Sequence, residues 1–129
     1  MHKIVIHCSD SPRGRGDNAE VIHLWHKERG FDGIGYHKVI LENGTIEDGR
    51  PLYWAGAHVK GHNTGTVGIC LIGKSVFTDN QFAALHYLLF KLKAKYPHAK
   101  IFGHRELDSS KTCPNFNVKE WLKKIGFNA

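Results

Sequence analysis

Residues 67–74 read VGICLIGK. No polar residue interrupts the run before Lys74. A strand with one wet face alternates apolar and polar positions, whereas a continuous apolar run of strand length signals a strand buried inside a sheet. Cys70 lies within the run and reads as a core residue. Working outward, KIVIHCS at 3–9 is alternating and β-branched, and AKIFGH at 99–104 is short and apolar. Both are expected strands. GYHKVILENGTIEDG at 35–49 sets two apolar segments around Asn43-Gly44, a hairpin signal.

Three segments carry helical signals between these strands. Asp17, with Glu20 three residues on, predicts a capping box ahead of AEVIHLWHKERG at 19–30. Val21, Leu24, Trp25 and Glu28 fall at helical spacing there, and Gly30 is the expected stop. Thr78 and Gln81 form a second box before DNQFAALHYLLFKLKAKYP, which ends near Pro97. Asn117 and Glu120 cap a last helix, VKEWLKKIG, ending at Gly126. PLYWAGAHVKGHNTGT at 51–66 is a long Gly-rich and aromatic loop of the kind that carries function on compact domains. The order βαββ-loop-βαβ-loop-α predicts an α/β fold: one domain over 1–129, with a central mixed β-sheet flanked by helices.

A length of 129 residues suits one core. No apolar run approaches the roughly 20 residues of a membrane span. MHKIVIHCSDSP lacks the apolar region of about 7–15 residues that a secretory signal needs, so export by that route is not expected. The formal charge of +6 favours anionic partners such as nucleic acid, anionic lipid or acidic wall polymers. No dense Lys/Arg block or nucleic-acid motif accompanies it, so no nucleic-acid partner is expected. Three cysteines, an odd count, argue against a disulfide framework and leave a thiol for other use.

His7 and His104 each end an expected strand where the chain turns into a polar loop. Such positions are where rigid sites are built. If the two strands are neighbours, both imidazoles can point into one cleft, and Cys113 returns from the loop after His104. Two His and one Cys would supply three zinc ligands and leave the fourth position open to water, the arrangement of a catalytic zinc. The alternative stays open on spacing alone. A strand-end His is commonly a hydrogen-bonded surface residue, a lone Cys a small buried hydrophobe, and no compact H-E-x-x-H motif is present. The polar setting SSKTCPN favours the metal for Cys113, whereas alternation turns Cys8 to the opposite face from His7. Lys111, two residues before Cys113, is either a solvated lysine or a cation able to stabilise an oxyanion. Tyr36 is either an aromatic packed at a sheet edge or a hydroxyl that orients or deprotonates a water.

Taken together, VIHCSDSP, WHKERGFDGIGYHKVILENGTIEDGR, GAHVKGHNTGTVGICLIG and GHRELDSSKTCPNFN resemble the zinc-dependent N-acetylmuramoyl-L-alanine amidases of type 2. That superfamily includes amidase-type phage lysozymes and peptidoglycan recognition proteins. The four segments occur in family order through nearly the whole chain, and WHKE, GYH and GICLIG point to the phage branch. The resemblance implies an amidase/peptidoglycan-recognition-protein-like fold. It implies Zn2+ held by His7, His104 and Cys113, catalysis by Tyr36 and Lys111, and a muropeptide cleft bordered by His37, His58 and Asn63. One departure is that the His104-to-Cys113 spacing is a residue longer than in the phage branch, which bears on where Lys111 sits.

The implied reaction is hydrolysis of the amide between N-acetylmuramic acid and the L-alanine of the stem peptide. The implied role is a monomeric phage or prophage endolysin. It would accumulate in the host cytoplasm without membrane insertion and act on the bacterial peptidoglycan of the cell wall after holin-mediated release. A cytosolic muropeptide-recycling amidase or a peptidoglycan-binding recognition module are the alternatives. The first commonly carries Asp at the third ligand, and some members of the second lack a complete zinc site.

Overall fold

The computed structural model describes residues 1–127. Five strands form one mixed sheet. They are β1 (Lys3–Cys8), β2 (Lys38–Ile40), β3 (Ile46–Asp48), β4 (Thr66–Leu71) and β5 (Lys100–Gly103), in the order β3-β2-β4-β1-β5. The apolar run that begins at Val67 therefore supplies the middle strand, and all six residues of β4 are buried. Pairing is parallel for β1 with β4, β1 with β5 and β2 with β4, and antiparallel for β2 with β3. His7 stands opposite Cys70 in the β1/β4 register, and β5 runs beside β1 up to Gly103. The strands that lead to His7 and His104 are thus neighbours.

Alternation divides the sheet into two unlike faces. Ile4, Ile6, Ile40, Val67, Ile69 and Leu71 pack against α2 (Asp79–Lys95) and α4 (Val118–Lys124) through Leu85, Leu89, Leu92, Val118 and Leu122. The opposite face is smaller and more mixed. Val39 and Cys70 pack with Ile22, Ile34 and Ile72 beneath α1 (Ala19–Glu28), and Trp25 and Tyr36 flank that cluster. His7, Thr66 and Gly68 share the parity of this second face.

The helix caps show why each element begins where it does. Thr78 and Gln81 make the expected reciprocal box on α2, and the Asn117 side chain accepts from the Glu120 amide on α4. On α1 the cap lies one residue later than expected. Asn18, not Asp17, accepts from the Val21 amide at 3.0 Å. The reason is competition: the Arg15 guanidinium holds the Asp17 carboxylate at 2.9–3.0 Å. Glu20 then stands one position short of where a capping box needs it, and Glu47 from β3 accepts from the Ala19 amide instead, at 2.9 Å. The buried stripe of α1 is rotated as well. Ile22 and His26 are its buried residues, while Leu24 is 54% exposed.

The hairpin turn uses Gly44 in the left-handed region, at φ 91°, with the Leu41 amide bonded to the Thr45 carbonyl across it. After β5 the chain makes one turn of helix, α3 (His104–Leu107), that the sequence reading leaves as loop.

Candidate active site

β1 and β5 deliver His7 and His104 to one end of the sheet, where Nδ1 of His7 lies 3.1 Å from Nδ1 of His104. The nine-residue path from His104 to Cys113 is compact. It begins with α3, whose Asp108 amide bonds the His104 carbonyl. A tight turn follows, in which the Asp108 carboxylate accepts from Ser110 N and Oγ, and the Lys111 amide bonds the Asp108 carbonyl. The Arg105 amide then bonds the Cys113 carbonyl at 2.8 Å and closes the loop. Cys113 Sγ accepts from the Cys8 amide at 2.9 Å. Cys8 thus contributes main chain to the site.

The ligating atoms of His7, His104 and Cys113 all lie within 4.8 Å of one another, the one such group found among the described residues. Two nitrogens about 2.0–2.1 Å from a tetrahedral zinc would stand roughly 3.3 Å apart, close to the His7–His104 separation. Two imidazole nitrogens and a thiol form a donor set suited to zinc. Protonation fits as well. Burial first, then His58, His104 and His26 nearby, holds His7 well below the usual histidine range, so it stays neutral and able to ligate. His104 is lowered mainly by burial, against the pull of Asp108. The Cys113 thiol is pushed up, first by the neighbouring Cys8 thiol and then by burial. It therefore holds its proton until a cation displaces it.

His104 and Cys113 open onto a cleft of about 890 Å³, and His7 is buried behind them. Tyr36, Lys111, His58 and Asn63 line it. The stretch between His104 and Cys113 is taken up by α3 and the Asp108 turn, and Lys111 lines the cleft. The Tyr36 ring packs 5.0 Å from His7. Burial, then the neighbouring sulfurs of Cys70, Cys113 and Cys8, raises its phenol well above the usual tyrosine range. Such a phenol stays protonated at neutral pH, which suits donation of a hydrogen bond.

The structure does not bring His37 to the cleft wall. It is 1% exposed, its Nδ1 accepts from the Gly68 amide at 3.0 Å, and its Nε2 donates to the Trp54 carbonyl at 2.8 Å. Both ring nitrogens are spent on joining β4 to the 51–66 loop. Asn63 lines the cleft, but its side-chain oxygen is engaged by the amides of His58 and Val59 at 2.8 and 2.9 Å.

Sequence reasoning missed His26. It lines the cleft, and its Nδ1 accepts from the Gly35 amide at 2.8 Å, while His23 Nδ1 accepts from the Ile34 amide at 3.1 Å. The two histidines thereby hold the loop that presents Tyr36. Burial and then Arg29 lower His26 to about 4. The Ile22–His26 spacing of one helical turn is the signal that could have found it. Arg29 and Lys60, also unforeseen, add positive charge to the cleft.

Two histidines and a cysteine able to hold a metal, with a protonated phenol beside them, thus gather at one end of the parallel strands, an arrangement suited to hydrolysis. Residues 1–116 match the family described as N-acetylmuramoyl-L-alanine amidase. The endolysin of Klebsiella phage KP32 is 38% identical over 130 residues, covering 95% of this chain and 85% of that protein. Among solved structures, the endolysin amidase LysCS from Clostridium intestinale superposes with a TM-score of 0.87 at 30% identity, covering 98% of this chain and 84% of that one. Drosophila PGRP-LB superposes with a TM-score of 0.82 at 27% identity, covering 98% and 82%. The chain belongs to the N-acetylmuramoyl-L-alanine amidase family.

Proposed function

We propose that this amidase is a zinc enzyme of the endolysin kind. It would cleave the bond between the lactyl carbonyl of N-acetylmuramic acid and the amine of L-alanine in bacterial peptidoglycan. The observation that carries the reading is the convergence of His7, His104 and Cys113 beside an open cleft that His104 and Cys113 line. These three would hold the ion. When bound, zinc supplies a Lewis acid and a water acidic enough to act as nucleophile near neutral pH.

The remaining roles fall to the chain's own side chains. The protonated Tyr36 hydroxyl donates a hydrogen bond that orients the attacking water or the carbonyl oxygen. The Lys111 ammonium, across the cleft, balances the negative charge that develops on that oxygen as water adds to the carbonyl carbon. The C–N bond then breaks and L-alanine leaves as an amine after taking up a proton. His58 and Asn63 shape the wall on which the muropeptide rests. His37 supports that wall from behind.

The chain would work as a monomer, accumulating in the host cytoplasm and reaching the wall when a holin opens the membrane. No helix among the described residues is long and apolar enough to cross a membrane. The presence of a thiol at the third position supports the lysis enzyme over a recycling amidase, and a complete ligand set supports hydrolysis over recognition alone.

Digestion of purified Gram-negative peptidoglycan, with and without chelator, tests the reaction. Mass analysis should find free stem peptides beside intact glycan strands, and chelator should stop their release. New reducing sugar ends would show a glycosidase and refute the proposal.

A further inference from the structure

His58 sits in a slot built around its ring. A Cβ added to Gly56 would come within 2.4 Å of the His58 ring, and one added to Gly68 within 2.6 Å. The residue is 9% exposed, and both ring nitrogens have partners. Its Nδ1 lies 2.9 Å from Nε2 of His7, and its Nε2 lies 3.1 Å from the Thr66 hydroxyl. That hydroxyl is itself buried and lies 2.7 Å from the His62 carbonyl and 3.0 Å from the Asn63 carbonyl.

The direction of every proton in this chain follows from one fact: carbonyl oxygens only accept. Thr66 has a single hydroxyl proton, and the two carbonyls claim it. Were it turned toward His58 instead, two oxygen–oxygen contacts of 2.7 and 3.0 Å would set lone pair against lone pair. Thr66 therefore accepts from His58, whose proton must lie on Nε2. A neutral imidazole carries one proton, so Nδ1 of His58 is a bare acceptor. It can be satisfied only by a proton on Nε2 of His7. That leaves Nδ1 of His7 bare, and this is the atom that faces His104.

We infer that Thr66 and His58 form a positioning relay that fixes the tautomer of His7 and so presents its Nδ1 lone pair to the metal. The role of that lone pair as a ligand rests on the zinc reading above, whereas the proton order itself does not. His58 is accordingly a positioning residue, and the glycine at position 68 in the middle of a buried strand is the room its ring requires. Partners behind a ligating histidine set its orientation and basicity, and removing one typically weakens metal binding about 10- to 100-fold.

The test has two readouts on the full chain. Long-range proton–nitrogen correlation spectra of the protein as purified should show His58 protonated on Nε2 and bare on Nδ1. The opposite tautomer overturns the relay. Zinc affinity, by competition with a chromophoric chelator, should fall about 10- to 100-fold in Thr66→Val and return to near wild type in Thr66→Ser, which restores the hydroxyl. Unchanged affinity in Thr66→Val, or no recovery in Thr66→Ser, also overturns it. If Thr66→Val does not fold, the wild-type tautomer still decides. A wild-type chain that binds no zinc would refute the metal reading, leaving the tautomer spectrum to judge the proton order by itself.

Discussion

Gly68 and Ile69 are neighbours in β4, yet they belong to different chemistries. Ile69 points into the aliphatic layer beneath α2 and α4, where the neighbours are Ile, Leu and Val and shape alone matters. Gly68 faces the other way, where a Cβ would strike the His58 ring and where the main chain bonds His37. One face of the sheet gains its stability from dense apolar burial. The other buries imidazoles, a threonine hydroxyl and an asparagine-braced loop, each tied to a specific partner because a buried polar group without one is costly. The site is therefore anchored on a stiff strand whose stability is supplied largely from behind.

Perturbing each face separately sharpens this division. The largest effect is expected at the cleft. Lys111→Ala should leave metal content and thermal stability unchanged while turnover drops by about 10²–10³. Wild-type-like turnover in that variant would remove Lys111 from catalysis.

Next come the two β4 neighbours. Ile69→Ala should cost about 2–5 kcal/mol in denaturant unfolding, as a cavity in a packed layer does, with metal affinity of the folded protein intact. Gly68→Ala should cost less stability, about 1–3 kcal/mol from overpacking, yet weaken metal binding because His58 is displaced. If both variants lost stability and metal affinity in parallel, the two faces would not be separable.

Acid probes the imidazole face separately, through a pH dependence of stability. Burial, then His37 and His104 nearby, holds His58 down to about 3, and His26 is held at about 4, against an ordinary value of 6.5. Above pH 6.5 neither ring is charged in either state, and the full stability is present. As pH falls below 6.5 the unfolded chain takes up protons that the folded chain refuses, so stability declines until pH reaches the folded values. Each such histidine contributes up to about 1.4 kcal/mol per pH unit within that window. Denaturant midpoints that stay level from pH about 7 to about 4 would contradict the burial of these rings as neutral groups.

Much of the sheet is legible in the sequence, because continuous or alternating apolar runs dictate strands and their faces directly. The middle position of β4, the hairpin at Asn43-Gly44 and the Thr78–Gln81 box all follow from local pattern. His7 and His104 are visible as polar residues closing apolar strands. What local pattern could not decide is competition between distant groups. Asp17 and Asn18 are both able to cap a helix, and Arg15 with Glu47 settles the choice. α3 is too short to carry a period. His58 reads as one more loop histidine because its slot is made by glycines at 56 and 68, on separate segments. His37 follows Tyr36 in sequence but turns to the opposite task, since the Gly68 amide and the Trp54 carbonyl capture it.

An anomalous difference map collected at the zinc edge from crystals of the purified protein decides whether His7, His104 and Cys113 hold zinc. A single peak within ligating distance of His7 Nδ1, His104 Nδ1 and Cys113 Sγ is the predicted result. An active protein with no peak there, or with zinc bound elsewhere in the cleft, would contradict it.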